Sequence, residues 1–333
     1  MKFIPHDYQK RAIALTVEKP SIGLFLDMGL GKTAITMTAI QELMYDCFDV
    51  SRVLIIAPKR VAEDTWTREH EKWDHLKDLR ISKVLGTAQQ RLSALAADAD
   101  IYVIGRDNVK WLVETYQRRK KWPFDMIVVD ELSSFKNPQA QRFRALRKVL
   151  PHTKRVVGLT GTPSPNGLMD LWAEIYLLDG GERLGGTIGA YRETYFRPGA
   201  RNGYTTYKWE PIRGAQEIIE KKISDICISM SAADYLQLPK RIDNVIPVKL
   251  SATEMAAYRR MEEEQLLRID DEDIAALNAA AVMGKLLQIA NGSVYSVDNV
   301  PVKIHEAKLE ALSEIVDTTD SPVLVFYSYK HDL

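Results

Sequence analysis

Gly29-Leu30-Gly31-Lys32-Thr33 is the densest concentration of phosphate chemistry in the sequence. Its glycines let backbone N–H groups approach phosphate oxygens without a side-chain clash, and a helix opening at Lys32 adds the positive end of its dipole. A lysine there reaches β- and γ-phosphates, and the following threonine hydroxyl can ligate Mg²⁺. The strict GxxxxGK[ST] pattern wants a glycine where this chain has Leu26, so a glycine-rich turn with an incidental lysine is the bland alternative. The second constellation is Asp130-Glu131, ending the apolar run Met126–Val129. An acidic residue at the carboxyl end of a strand can hold Mg²⁺, and a neighbouring carboxylate can activate water. Taken alone, such a pair is a solvated loop start; with the lysine loop upstream it reads as a hydrolytic site. The third is Leu159-Thr160-Gly161-Thr162-Pro163, small hydroxylated residues that could line the same cleft or simply make a turn.

These groups need a scaffold that aims loops at one place. Gly23–Leu26, Val53–Ala57, Ile101–Ile104, Met126–Val129 and Val156–Leu159 are short apolar runs without polar alternation, the pattern of parallel strands buried on both faces. Helical stretches separate them; Ile35, Ala39, Ile40 and Leu43 share one face. Strand and helix in alternation predict a doubly wound α/β domain over residues 1–178, with ligands at the carboxyl ends of its strands. A glycine-rich entry from Gly180 to Gly189 opens a second region, 179–238, where Asn202-Gly203 predicts a tight hairpin and the remainder reads as helical. From 239 to 333, a strand is expected over Ile242–Leu250, helices over Glu254–Leu267 and Ile274–Ile289, and a buried strand over Val323–Tyr327.

Composition narrows the function. Lys and Arg number 45, as do Asp and Glu, over 333 residues. Zero net charge argues against bulk electrostatic binding of nucleic acid but leaves room for a local basic groove. With 46% hydrophobic and 27% charged residues the chain is an ordinary globular one. Two distant cysteines exclude a disulfide framework or a cysteine zinc site and suit a reducing cytosol. No apolar run is long enough to cross a membrane, and the first residues lack the apolar core of a signal peptide.

Basic side chains cluster in three places. Arg118-Arg119-Lys120-Lys121 reads as a solvated loop. Arg142, Arg144, Arg147 and Lys148 lie on the helix after Asp130-Glu131, where their spacing is expected to scatter them into solvent. Tyr191–Trp209 interleaves arginines with aromatics. That mixture suits a nucleic-acid strand through phosphate neutralisation and stacking; a small hairpin packing its own aromatics fits equally.

The three motifs, in this order, resemble the superfamily-two DNA translocases of the Swi/Snf type, and the likeness spans nearly the whole chain. Pro5-His6-Asp7-Tyr8-Gln9 resembles the family's opening motif, and Asp27-Met28-Gly29-Leu30-Gly31-Lys32-Thr33 its motif I, which accounts for Leu26. Ile56-Ala57-Pro58 with Thr65-Trp66 and Lys72-Trp73 resembles motif Ia, and Ile104–Asp107 occupies the motif Ib position. Asp130-Glu131-Leu132-Ser133 with Phe135-Lys136-Asn137 resembles motif II, and Leu159–Pro163 with Asn166-Gly167 and Leu171-Trp172 motif III. Leu238-Pro239-Lys240, Tyr258, Lys308-Leu309 and Val323–Tyr327 resemble the entry and early core of the family's second motor lobe. Leu132-Ser133 replace the Ala-His usual after Asp-Glu, a histidine that couples hydrolysis to DNA. The resemblance to short phage-type relatives suggests a phage or prophage source.

The resemblance implies a RecA-like ATP-binding lobe at 1–178, a family-type insertion at 179–238 and an incomplete second RecA-like lobe with a helical insertion at 239–333. It implies an ATP-dependent motor moving on double-stranded DNA, with ATP and Mg²⁺ as cofactors. Gln9 would read adenine, and Met28, Gly29, Leu30, Gly31, Lys32 and Thr33 would cradle the nucleotide. Thr33 and Asp130 would hold Mg²⁺, with Lys32, Asp130 and Glu131 catalytic. Lys59, Arg106, Thr160, Thr162 and Arg201 are the expected nucleic-acid contacts. The protein is expected to be a monomer acting with other phage or host proteins, cytoplasmic and at the nucleoid of a bacterial host. Motifs V and VI, with the arginines that complete hydrolysis, are expected beyond Leu333, so residues 1–333 alone should hydrolyse ATP slowly. Two rivals stand: a P-loop kinase of another class, and a non-catalytic motor fragment that only docks on nucleic acid.

Overall fold

A computed structural model describes residues 1–333 apart from 120, 200, 203, 204, 207, 208, 236–241, 265, 270, 271, 276–278, 320, 321 and 333, and apart from the side chains of 201–208 and 264–280. The chain forms two compact units, Met1–Pro239 and Lys240–Leu333.

In the first unit, helix α1 (Asp7–Glu18) precedes strand β1 (Ser21–Leu26), which runs through the glycine loop into α2 (Lys32–Tyr45). β2 (Val53–Ala57) is followed by one π-helical turn, Val61–Thr65, and α3 (Trp66–Lys72). Then come β3 (Ile81–Val84), α4 (Ala88–Ala96), β4 (Ile101–Gly105), α5 (Val109–Arg118), β5 (Met126–Asp130), α6 (Gln141–Arg147), β6 (Arg155–Thr160) and α7 (Leu171–Asp179). After α8 (Ile188–Tyr195) the chain makes two small antiparallel pairs. β7 (Phe196–Pro198) pairs with β10 (Trp209–Pro211), and β8 (Arg201–Asn202) with β9 (Thr205–Thr206). Asn202 thus ends one arm of the expected hairpin, although the turn itself lies outside the described residues. α9 (Ala215–Ile223), β11 (Cys227–Met230) and the short α10 (Ala232–Tyr235) complete the unit.

Seven strands form one sheet in the order β11-β1-β6-β5-β2-β4-β3, every neighbouring pair parallel. The expected doubly wound parallel sheet is therefore present. β2, β4 and β5 are buried at every position because helices cover both faces. One helical layer contains α1, α2 and α3, packed on residues such as Leu24, Ile55 and Val128. The other contains α4 to α9, packed on Leu54, Ile127 and Val129.

β11 corrects the expectation that residues beyond 179–238's hairpin are helical. Cys227–Met230 pairs with Gly23–Leu26 and is the sheet's edge strand, so no boundary of the fold separates 1–178 from 179–238. Four residues with a polar serine among them give too short an apolar run to read as a strand; the groups presented by β1 decide it.

In the second unit, α11 (Ala252–Glu264) precedes an antiparallel pair, β12 (Leu266–Ile269) with β13 (Glu272–Ala275). α12 (Ala279–Ile289) leads to a second pair, β14 (Ser293–Tyr295) with β15 (Pro301–Lys303), and then α13 (Ala307–Asp317). Met261, Leu286, Ile289, Val294 and Val302 make its small core. Three expectations are corrected here. Residues 242–250 are not a strand, and the two expected helices give up Leu266-Leu267 to β12 and Ile274-Ala275 to β13, being described over Ala252–Glu264 and Ala279–Ile289. Val323–Tyr327 has no regular secondary structure and pairs with no described strand, and its apolar side chains are exposed, Phe326 by 87%. A buried-type strand needs covered faces and hydrogen-bonding neighbours. Among the described residues, no helix is long and apolar enough to cross a membrane.

Candidate active site

Parallel strands place every carboxyl end on one edge, so the loops after β1, β5 and β6 meet there. A cleft of about 700 Å³ in the first unit is lined by Gln9, Asp27, Met28, Gly29, Gly31, Lys32, Thr33, Asp130 and Glu131, among others. The structure thus brings together residues that lie more than a hundred positions apart in sequence.

The loop's shape depends on glycine. Gly29 and Gly31 have φ of 85° and 80°, left-handed values that L side chains rarely adopt. At Gly31 a Cβ would also lie 2.7 Å from the Gln9 amide nitrogen. Gly31 precedes α2 without a side-chain cap, so the first-turn N–H groups of that helix are available to an anion. Lys32 Nζ donates to the carbonyls of Leu26 at 2.6 Å and Asp27 at 3.4 Å, which holds the ammonium across the loop. Thr33 lines the cleft beside it, and Met28 is exposed. The Leu30 side chain is fully buried in the core, and its carbonyl accepts from Tyr8 Oη at 3.3 Å and Gln9 Nε2 at 3.2 Å. Gln9 Oε1 also accepts the His6 N–H at 2.9 Å. The glutamine therefore fastens the start of α1 to the phosphate loop while facing the cleft.

Asp130 ends β5 and is buried. Its Oδ2 accepts from the indole Nε1 of Trp66 at 3.0 Å. Burial pushes its pKa up to about 6; the Trp66 hydrogen bond pulls the other way, the adjacent Glu131 charge raises it further, and Lys32 lowers it. Glu131 has φ of 55°, a left-handed backbone uncommon outside glycine and asparagine and a form of strain found at functional sites. One carboxylate and one hydroxyl, Asp130 and Thr33, are an oxygen donor set that fits Mg²⁺, which keeps waters and phosphate oxygens as its other ligands. No cluster of three or more His, Cys, Asp or Glu is present among the described residues.

Three side-chain arrangements here have no signal in residue spacing. The burial of Trp66 and its need for an indole acceptor put it on Asp130. Asp27 Oδ2 accepts from Ala232 N at 2.9 Å and Ser231 Oγ at 3.3 Å, so the phosphate loop is tied to the segment after β11. Glu174, on α7, is fully buried with neither carboxyl oxygen hydrogen-bonded. Burial first, then the charges of Asp170 and Glu131, push its pKa up to about 9 against the pull of Lys136. A spacing-based reading had no signal for a buried acid inside an apolar helix.

Four of the five expected nucleic-acid residues, Lys59, Arg106, Thr160 and Thr162, end or follow strands at that same sheet edge. Lys59 follows β2, is exposed, and lies 3.9 Å from Glu63. Arg106 follows β4 and is half-buried. Thr162 follows β6 and is exposed. Thr160 is corrected: it is fully buried, its Oγ1 accepting the Thr162 N–H at 3.1 Å, so it shapes the turn and presents nothing to a ligand. Arg201 opens β8, and its side chain lies outside the described residues. In the aromatic segment, Tyr191, Tyr195 and Phe196 are buried in the core, with Tyr191 Oη donating to Leu168 O at 2.7 Å. For these three the packed alternative holds, because their rings fill the space between α7 and α8.

Residues 8–292 match the family model described as the SNF2-related domain. Putative protein p41 of Acyrthosiphon pisum secondary endosymbiont phage 1 is 40% identical over 339 residues, covering 99% of this chain and 73% of that protein. The DNA repair and recombination protein RAD54B of Gallus gallus is 25% identical over 250 residues, covering 72% of this chain and 26% of its own length. A solved structure described as the Sulfolobus solfataricus SWI2/SNF2 ATPase core in complex with dsDNA aligns with a TM-score of 0.58 at 21% identity, over 95% of this chain and 64% of that one. The fold is accordingly the RecA-like α/β fold of such cores, and the chain belongs to the SNF2-related family.

Proposed function

We propose that this chain is the ATP-hydrolysing part of a motor that moves along double-stranded DNA. The observation that carries the reading is the single cleft holding Gln9, Gly29, Gly31, Lys32, Thr33, Asp130 and Glu131. A nucleotide's triphosphate would lie against the N-terminus of α2, its base towards Gln9. Lys32 would exchange its two carbonyl acceptors for β- and γ-phosphate oxygens and neutralise charge that grows in the transition state. Thr33 and Asp130 would hold Mg²⁺, which supplies further neutralisation of the phosphates. Glu131 would orient the attacking water and accept its proton.

DNA is the proposed track because relatives include a DNA repair and recombination protein and a core solved with dsDNA. Arg106 and Thr162 lie on the edge where such a backbone would contact the first unit. Phosphate contacts carry no sequence information, so binding should be indifferent to sequence and fall steeply with salt. The test is phosphate release from ATP with and without duplex, at low and moderate salt. Stimulation by duplex of any sequence supports the motor. Equal rates with and without DNA favour a kinase of another class, and duplex binding without hydrolysis at any protein concentration favours a docking fragment.

A further inference from the structure

On the helical layer opposite α1 and α2, a second hollow of about 730 Å³ opens between the segment after Glu131 and helices α6, α7 and α8. Five cations line it: Lys136, Arg144, Arg147, Lys148 and Arg192. Asp170 is the single acid on its lining, and that carboxylate is already engaged. Its Oδ2 accepts from Lys136 Nζ at 3.2 Å and from the Asn166 N–H at 3.1 Å. Among the described residues, no carboxylate pairs with the other four cations. Elsewhere on the same unit, surface cations do find partners, as Arg68 does on Asp64 and Arg183 on Asp225. The chain's net charge is zero, so this surplus is a local feature.

Two of the three arginines are also held in place. The Arg147 guanidinium lies 5.6 Å from the centre of the Tyr176 ring, and that of Arg192 lies 5.7 Å from Trp209. Arg192 Nε is buried without a hydrogen-bond partner. Stacked guanidiniums lose little freedom on binding and present a planar fork that matches phosphate oxygens in pairs. The expected scatter of the α6 cations is thereby corrected, since Arg144, Arg147 and Lys148 all reach one hollow. Contacts from Arg142 to Asp107 at 3.5 Å and from Lys110 to Gln141 at 3.1 Å tie the start of α6 to the segment carrying Arg106. The hollow therefore continues the sheet edge.

We infer that this hollow is a second seat for the phosphate backbone of a nucleic-acid duplex, extending the track from Arg106 across α6 towards Arg192. The inference rests on the reading of the chain as a DNA motor. A phosphodiester backbone fits better than an acidic peptide because three of the five cations are guanidiniums, two of them stacked on aromatic rings, and because the start of α6 is tied to the segment carrying Arg106.

The experiment is fluorescence anisotropy of a labelled duplex of arbitrary sequence with the whole chain, between about 50 and about 200 mM salt. Each lost phosphate contact lowers the slope of log K against log salt by about 0.9. Arg144→Gln with Arg147→Gln should lower it by about 1.8 and weaken binding roughly tenfold at low salt. Lys10→Gln with Arg11→Gln, on the opposite layer, removes the same charge and should leave the slope as it was; melting temperatures check that both doubles are folded. An unchanged slope in the Arg144/Arg147 double, with normal duplex binding by the parent, overturns the seat and leaves the motor reading intact. Displacement of the duplex by poly-glutamate at equal charge concentration, lost in the same double, overturns the choice of nucleic acid. No duplex binding by the parent chain overturns both.

Discussion

The indole N–H of Trp66 is 3.0 Å from Asp130 Oδ2, and both groups are buried. Trp66 opens α3 directly after a π-helical turn, whose ends Val61 and Thr65 line the nucleotide cleft. Single π-turns recur at functional sites because they re-aim the side chains that follow. Here the indole that follows the turn donates to one carboxyl oxygen of Asp130, the residue proposed above to hold Mg²⁺.

Trp66→Phe keeps most of the ring and removes the donor. Loss of an outer hydrogen bond to a metal-binding carboxylate costs roughly 10–100-fold in metal affinity or activity. The Mg²⁺ concentration for half-maximal ATPase activity should rise by that order, with nucleotide binding in the absence of metal little changed. The same Mg²⁺ dependence in both proteins would remove Trp66 from the positioning of Asp130.

Lys32→Ala should abolish turnover while the fold survives, because the side chain is held by two loop carbonyls and supports no core. The lost charge stabilisation is worth several kcal/mol, on the scale of about 3–4 for a single transition-state donor. Phosphate release and far-ultraviolet circular dichroism on one preparation check it; unaltered turnover contradicts the site.

Glu131→Gln should bind Mg-ATP and turn over about 10²-fold or more slowly, since it keeps shape and loses the base. Glu131→Gly should be equally inactive yet melt at a higher temperature, because glycine relieves the left-handed backbone at φ 55°, a strain of about 1–3 kcal/mol set against glycine's greater unfolded-state entropy. A lower melting temperature for the glycine variant would show that the surrounding contacts, and not the side chain, set that conformation.

Glu174 gives a pH signature. Its folded pKa is raised to about 9 by burial and by Asp170 and Glu131, whereas in the unfolded chain it ionises at the ordinary carboxylate value. Between those values the unfolded state binds fewer protons than the folded one, so this group makes stability fall as pH rises. Glu174→Gln cannot ionise and should flatten the decline in urea midpoint between about pH 5 and pH 9. Identical pH profiles for the two proteins would mean that the carboxyl is ionised in the fold.

The candidate nucleotide site was legible in the residues themselves. Glycines at 29 and 31, Lys32-Thr33 and Asp130-Glu131 are types whose use depends on local geometry, a positive φ, a helix start or a strand end, and each local pattern is short. The five central strands were legible for the same reason, since unbroken apolar runs have few places to go except a sheet buried on both faces. Tertiary structure alone decided the rest. Cys227–Met230 became a strand because β1 offered an unpaired edge, and Val323–Tyr327, more apolar, is exposed and pairs with no described strand. The pairing of Trp66 with Asp130, the buried acid at Glu174 and the gathering of Arg144, Arg147 and Arg192 around one hollow join residues separated by tens of positions. Such contacts follow from packing helices onto a sheet of fixed strand order, and no local pattern carries that order.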